Sequence, residues 1–185
     1  MLTLPTYDGT LAPYASTVDP LVPRAPTRPW TRVAFAAAHV VSDPLAERTP
    51  WLGRPAVDWE ATLNFRRGLW DQGLGLAEAM DTAQRGMGVD WETARELIAR
   101  TMKEAKAHPL KPRVACGAGT DHKTLAELPD LDSIIAAYEH QMEAIEAEGG
   151  QLILMATRAL PAIGATPEDY RNVYDRLILQ AKDPI

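Results

Sequence analysis

Three side chains are placed to move protons: His39, Glu78 and Asp81. His39 closes the apolar run Val33-Ala34-Phe35-Ala36-Ala37-Ala38-His39-Val40-Val41. Glu78 sits inside Gly75-Leu76-Ala77-Glu78-Ala79-Met80, and Asp81 opens the polar segment that follows. A carboxylate inside an apolar strand is costly to bury alone, so an arginine, a metal or a bound proton must compensate it. Strand alternation puts Glu78 and Met80 on one face and leaves Asp81 beyond the regular strand. Each residue also has a structural reading. Glu78 can serve as half of an ion pair with Arg113 or Arg158, and His39 as a core histidine satisfied by a backbone carbonyl. Asp43, ahead of Pro44, can be a turn residue or a substrate contact.

Binding groups follow the same runs. Asp81-Thr82-Ala83-Gln84-Arg85-Gly86 combines acceptor, hydroxyl, amide and guanidinium in one loop. There Arg85 has the fork to grip a carboxylate or phosphate at two points. Its plainer alternative is a solvated loop around an Asp-capped turn. Thr120, Asp121 and His122 follow Gly117-Ala118-Gly119, and Arg158 follows a fourth apolar run. Asp121 and His122, with Glu78 and His39, are hard donors suited to a divalent metal. Their spacing matches no fixed metal motif. Cys116 lies within a strand and reads as an inert buried thiol. No nucleophile elbow, P-loop or dinucleotide fingerprint is present.

These residues stand at the ends of four apolar runs, each followed by an amphipathic stretch: 32–43, 75–85, 113–122 and 151–160. Alternating strand and helix signals a parallel α/β architecture, with chemistry at the carboxyl ends of the strands. Helix starts are expected at Asp58, at Asp90, at Asp130 or Asp132, and at Thr166 followed by Pro167. Helix ends are expected at Gly73, before Pro109, at Gly149-Gly150 and near Lys182. Residues 1–31, rich in proline, form an extended or irregular arm that covers the barrel bottom or packs on a neighbouring subunit. Residues 32–185 form the domain. In a chain of 185 residues, four strand–helix units match an open α/β sheet or the N-terminal half of a (β/α)8 TIM barrel, which needs about 250 residues. The final Asp183-Pro184-Ile185 reads as entry into a fifth strand, so a truncated barrel is expected. A half-barrel that dimerises is the alternative.

The net charge of −6 argues against nucleic acid and anionic membranes as main partners. One cysteine fits a reducing cytoplasm, and no apolar stretch is long enough to span a bilayer. The expected partners are a small-molecule substrate and further copies of the chain, as a homo-oligomer.

Ala77-Glu78-Ala79-Met80-Asp81-Thr82-Ala83-Gln84 resembles the second-strand exit of the dihydrodipicolinate synthase and N-acetylneuraminate lyase superfamily. There a Gly-Thr-Thr-Gly-Glu segment binds a keto-acid carboxylate. Gly117-Ala118-Gly119-Thr120-Asp121 resembles its third-strand Gly-x-Gly-x-Asn exit. Together with Ala37 to Pro44 and Glu78 to Gly88, these segments look like a divergent dihydrodipicolinate synthase-like branch. The resemblance spans about residues 32–185. It implies a (β/α)8 barrel and aldol chemistry through a Schiff-base lysine on a sixth strand, which is not in this chain. Asp81, Thr82 and Gln84 would match the two threonines and the glutamate. The chain departs from the pattern after Thr157, where Arg158-Ala159-Leu160 replaces a proton-relay tyrosine. Asp81 in place of a threonine favours hydroxyl-rich substrates over simple keto acids.

The expected function is thus an aldolase-like lyase acting on a carbonyl or sugar-derived small molecule, without a cofactor. His39, Glu78 and Asp81 orient or deprotonate substrate. Asp43, Thr82, Gln84, Thr120, Asp121 and His122 contact it, and Arg85 or Arg158 holds an anionic group. Two alternatives stand beside it. One is a metal-assisted sugar isomerase or epimerase using Glu78, Asp121 and His122 as ligands. The other is an inactive half-barrel that oligomerises through its strand edge.

Overall fold

The computed structural model describes residues 2–15, 18, 26, 28, 30–47, 55–82 and 84–184. Pro20, Pro23 and Pro29 of the proline-rich arm, Pro50 and Gly53 of the loop before Asp58, and Ala83 and Ile185 lie outside the described residues.

The arm differs from expectation at its start. Strands β1 (Leu2–Pro5) and β2 (Leu11–Tyr14) pair antiparallel as a hairpin. Asp8 and Gly9 supply its turn: the Asp8 carboxylate accepts the Thr10 N–H at 3.1 Å, and Gly9 takes a left-handed φ of +82°. Proline density alone concealed this hairpin, because Pro5 and Pro13 are tolerated in an edge-only ribbon.

The remaining strands form one parallel sheet in sequential order, β3 (Phe35–Ala36), β4 (Gly75–Glu78), β5 (Val114–Ala118) and β6 (Gln151–Leu154). The fold is therefore mixed α/β with a four-stranded parallel sheet. The strands are shorter than the apolar runs. His39 to Val41 lies beyond the β3 ladder, and Ala79 leaves β4 with a left-handed φ of +55°. Beyond β6, Leu152 bridges Pro184 in parallel, with the Leu152 N–H donating to the Asp183 carbonyl at 3.2 Å.

Three helices cover one face: α1 (Trp59–Asp71), α2 (Trp91–Ala107) and α3 (Leu131–Glu148). Each begins at an aspartate whose carboxylate takes an orphan backbone N–H: Asp58 from Ala61, Asp90 from Thr93, and Asp130 from Ser133. A short α4 (Ala159–Ala162) follows β6, and α5 (Pro167–Gln180) is capped by Thr166 with Pro167 in its first turn. The core lies between sheet and helices. Leu76, Cys116 and Leu152 meet Trp70, Ile98, Tyr138 and Ile145 there, all at most 1% exposed. Burial pushes the Cys116 thiol well above its ordinary range, which keeps it protonated.

The opposite face of the sheet carries small residues: Gly75, Ala77, Ala115 and Gly117. Gly117 is there by necessity, since a Cβ would stand 2.8 Å from the Ala79 carbonyl oxygen and 2.7 Å from the Met155 sulfur. Among the described residues, no helix is long and apolar enough to cross a membrane.

Candidate functional site

Two arginine–carboxylate pairs organise the carboxyl ends of the strands, and they differ in what they leave open. The first is closed. Arg66 of α1 donates from Nε and Nη2 to the two Glu78 oxygens at 2.7 and 2.8 Å, with both side chains fully buried. Thr101 of α2 and the Gln84 amide add donors at 2.7 and 2.8 Å, and the Ala79 N–H a fifth at 3.2 Å. Arg66 spends its other nitrogen on the carbonyls of His39 and Thr62, both at 3.0 Å. Gln84 also donates to the Ala38 carbonyl and accepts from the Met80 N–H at 2.7 Å. Both Glu78 oxygens thus have their acceptor sites filled from within the protein. Glu78 and Gln84, expected to act on substrate, are committed instead to the seam between sheet and helices. The partner of Glu78 is Arg66, not Arg113 or Arg158.

The second pair is open. Arg85, in a 3₁₀ turn at Arg85–Met87, donates from Nε to Asp121 Oδ2 at 2.9 Å and from Nη2 to Asp121 Oδ1. Its Nη1 donates to the Gly117 carbonyl at 2.8 Å, and its guanidinium lies 5.0 Å from the Trp91 ring centroid. The Arg85 side chain is 1% exposed, whereas that of Asp121 is 45% exposed. Gln141 of α3, fully buried, ties this pair to the sheet. Its Oε1 accepts the Gly119 N–H and an Arg85 N–H, both at 2.7 Å. Two donors on one atom identify that atom as the oxygen. The Gln141 nitrogen therefore donates, to Asp121 at 3.1 Å and to His122 Nδ1 at 2.8 Å. His122 is thereby held as the neutral tautomer with its proton on Nε2. Burial and the neighbouring His140, whose ring centroid lies 5.0 Å away, both hold the His122 pKa below its ordinary value.

A hollow of about 440 Å³ opens beside this cluster, past the carboxyl ends of β4, β5 and β6. Asp81, Arg85, Thr120, Asp121 and Arg158, all singled out from sequence, line it. Thr157 and Lys123 join them. The Thr120 and Thr157 hydroxyls lie 2.6 Å apart, and Thr157 also accepts the Ala159 N–H at 3.1 Å. Asp81 and Arg158 are exposed, and neither side chain has a hydrogen bond or ion pair among the described residues. The floor thus holds a hydroxyl pair, and the wall holds an uncommitted carboxylate and an uncommitted guanidinium. Such a hollow suits a small polar molecule with an anionic group.

His122 lines a neighbouring cavity with Arg85, Asp121, Trp91 and His140. The remaining expected residues are not brought to the hollow. His39 is exposed beyond β3, and among the described residues its carbonyl alone is engaged, by Arg66. Asp43 caps a turn, accepting the Leu45 N–H at 2.9 Å. Thr82 is exposed outside the lining. The trio Glu78, Asp121 and His122, expected as metal ligands in one alternative, is split between the two clusters. No group of three His, Cys, Asp or Glu side chains suited to a metal occurs among the described residues.

Arg66, Thr101 and Gln141 were missed, though a signal existed. Arg66 falls three residues after Leu63 and four before Trp70, and Thr101 falls four after Leu97. Gln141 falls three after Tyr138 and four before Ile145. Each is a polar residue on a buried helical stripe, which demands a partner.

Residues 2–185 match a family described as "Protein of unknown function (DUF993)", and the chain belongs to that family. No curated protein matches it.

Proposed function

We propose that this protein is an aldolase-like lyase acting on a small anionic carbonyl or sugar-derived molecule at the carboxyl rim of a (β/α)8 barrel. The observation that carries the reading is the hollow itself: Asp81, Thr120, Thr157 and Arg158 come from the ends of three adjacent parallel strands. Three further features support a barrel. The strands run in sequential order, α1, α2 and α3 share one face, and the other face is lined with the small residues a crowded interior requires. A doubly wound sheet would instead reverse its strand order and carry helices on both faces.

In this reading Arg158 holds the anionic group, and the Thr120–Thr157 pair bonds to substrate oxygens. Asp81 is the base. The amine belongs to a lysine on the sixth strand of the barrel, as the family resemblance implies. It condenses with the substrate carbonyl to an imine, releasing water. Cleavage of the carbon–carbon bond sends its electron pair into the imine as an enamine. The hydroxyl proton of the departing aldehyde half passes to Asp81. Arg85 and Asp121 set the rim's geometry without contacting the reacting bond.

The homo-oligomer expected from sequence also remains part of the proposal. The hairpin exposes Leu2, Leu4, Leu11 and Tyr14, and a two-stranded ribbon alone is marginal in water.

The test is borohydride trapping on the intact natural protein with pyruvate, glyoxylate and glyceraldehyde 3-phosphate, read by intact mass. A reduced adduct that weakens in Arg158→Ala supports the reading. No adduct with any of the three would overturn the Schiff-base lyase.

A further inference from the structure

The opposite end of the sheet carries a second cavity, of about 480 Å³, at the amino ends of β4 and β5. Its walls are apolar: Trp30, Val33, Trp70, Leu74 and Leu110. Among the described residues its charged lining is Arg28, Arg32, Lys111 and Arg113, with no aspartate or glutamate. In a chain of net charge −6, four cations in the described lining of one cavity run against the average. Arg28 and Arg32 have no hydrogen bond or ion pair among the described residues. Arg113 lies 5.6 Å from the Phe35 ring centroid and donates to Gln151 at 3.0 Å, and Lys111 donates to the Lys106 carbonyl.

The cavity is built. The Trp30 indole N–H donates to the Gln72 carbonyl at 2.9 Å, which fixes one wall. Gly73, at φ +78°, lets that indole close in, since a Cβ would stand 3.0 Å from the ring nitrogen. Trp70 is fully buried against the cavity, and its N–H is one of two buried indole donors without a partner among the described residues. Lys111 holds a left-handed φ of +45° directly before Pro112, where an extended backbone is the favoured state.

We infer that this cavity binds a flat apolar anion, an aromatic ring bearing a carboxylate. The indole and leucine walls take the ring, and the uncommitted guanidiniums of Arg28 and Arg32 take the carboxylate at two points. The volume falls within the range of small-molecule sites. The site is separate from the rim hollow by the length of the strands, roughly 15 Å. It does not rest on the lyase reading.

The experiment is calorimetric titration of the intact natural protein with 2-naphthoate and with neutral 2-naphthamide. The expected result is tighter binding of the naphthoate by about tenfold or more. Arg32→Glu should abolish that preference while leaving the amide unchanged, with an unaltered melting profile as the folding control. Leu110→Asp should weaken both ligands. Equal affinity for the two ligands, no heat with either, or naphthoate binding that survives Arg32→Glu and is lost in Arg158→Glu would overturn the assignment.

Discussion

The Arg66–Glu78 pair and the Arg85–Asp121 pair are the same chemistry, two residue types in the same fork, at the ends of neighbouring strands. Their surroundings give them opposite uses. Glu78 receives five donors and is fully buried, so it holds α1 and α2 to the sheet and has no capacity left for a ligand. Asp121 keeps nearly half its side chain in solvent and lines the hollow. A buried carboxylate inside a strand can thus have its oxygens spent within the protein, whereas a half-exposed one just past the strand keeps capacity for a ligand.

The comparison breaks most sharply at Glu78. Glu78→Ala strands a buried guanidinium, and unfolding in urea should show a loss of about 3–5 kcal/mol, enough to unfold many domains. The double change Arg66→Met with Glu78→Leu removes both charges and should cost clearly less. A single change costing under about 1 kcal/mol would mean that the cluster is wet and the contrast false. Next comes Gly117→Ala, which drives a methyl into the Ala79 carbonyl and should cost about 1–3 kcal/mol by the same measurement. Asp121→Asn should cost less than Glu78→Ala, about 1–3 kcal/mol, because it takes the counter-charge from the buried Arg85 but leaves it the Gly117 carbonyl and the Gln141 oxygen as acceptors. It should also weaken binding at the rim by loosening Arg85.

His122 tests the open cluster by pH. The folded His122 pKa lies below its ordinary 6.5, so the unfolded chain takes up the proton first. Stability is full above pH 6.5, declines as pH falls below it, and stops declining once the lowered folded value is passed. In His122→Asn, melting temperatures across that window should lose this part of the slope. In the unchanged protein, nitrogen chemical shifts should show the Nε2–H tautomer near neutral pH, and Gln141→Leu should release it. The smallest effect belongs to the exposed pair Lys123–Glu127, where Lys123→Ala should leave the urea unfolding midpoint essentially unchanged, because solvent screens both charges.

Much of this architecture was legible before any coordinates. Asp58, Asp90, and Thr166 with Pro167 announced helix starts because capping chemistry is local. The four strand–helix alternations set the α/β class, since a strand buried on both faces reads as an apolar run. Asp81, Thr120, Asp121 and Arg158 were placed correctly at strand exits, and they share one hollow. What escaped was long-range. Arg66 and Glu78 are twelve residues apart and Arg85 and Gln141 fifty-six, and no periodicity links them. Strand lengths were overcalled because alanine-rich apolar segments run on past the last ladder bond, as at His39. The Asp8–Gly9 hairpin was hidden by its prolines.

The account stands on the open rim as the ligand site, and amide chemical-shift mapping of the intact natural protein tests it most directly. Titration with pyruvate and with glyceraldehyde 3-phosphate should shift the amides of Asp81, Gly119, Thr120 and Arg158 together. Arg66 and Thr101 should stay in place. Shifts confined to the Trp30–Leu110 end of the sheet, or absent with both compounds, would contradict it.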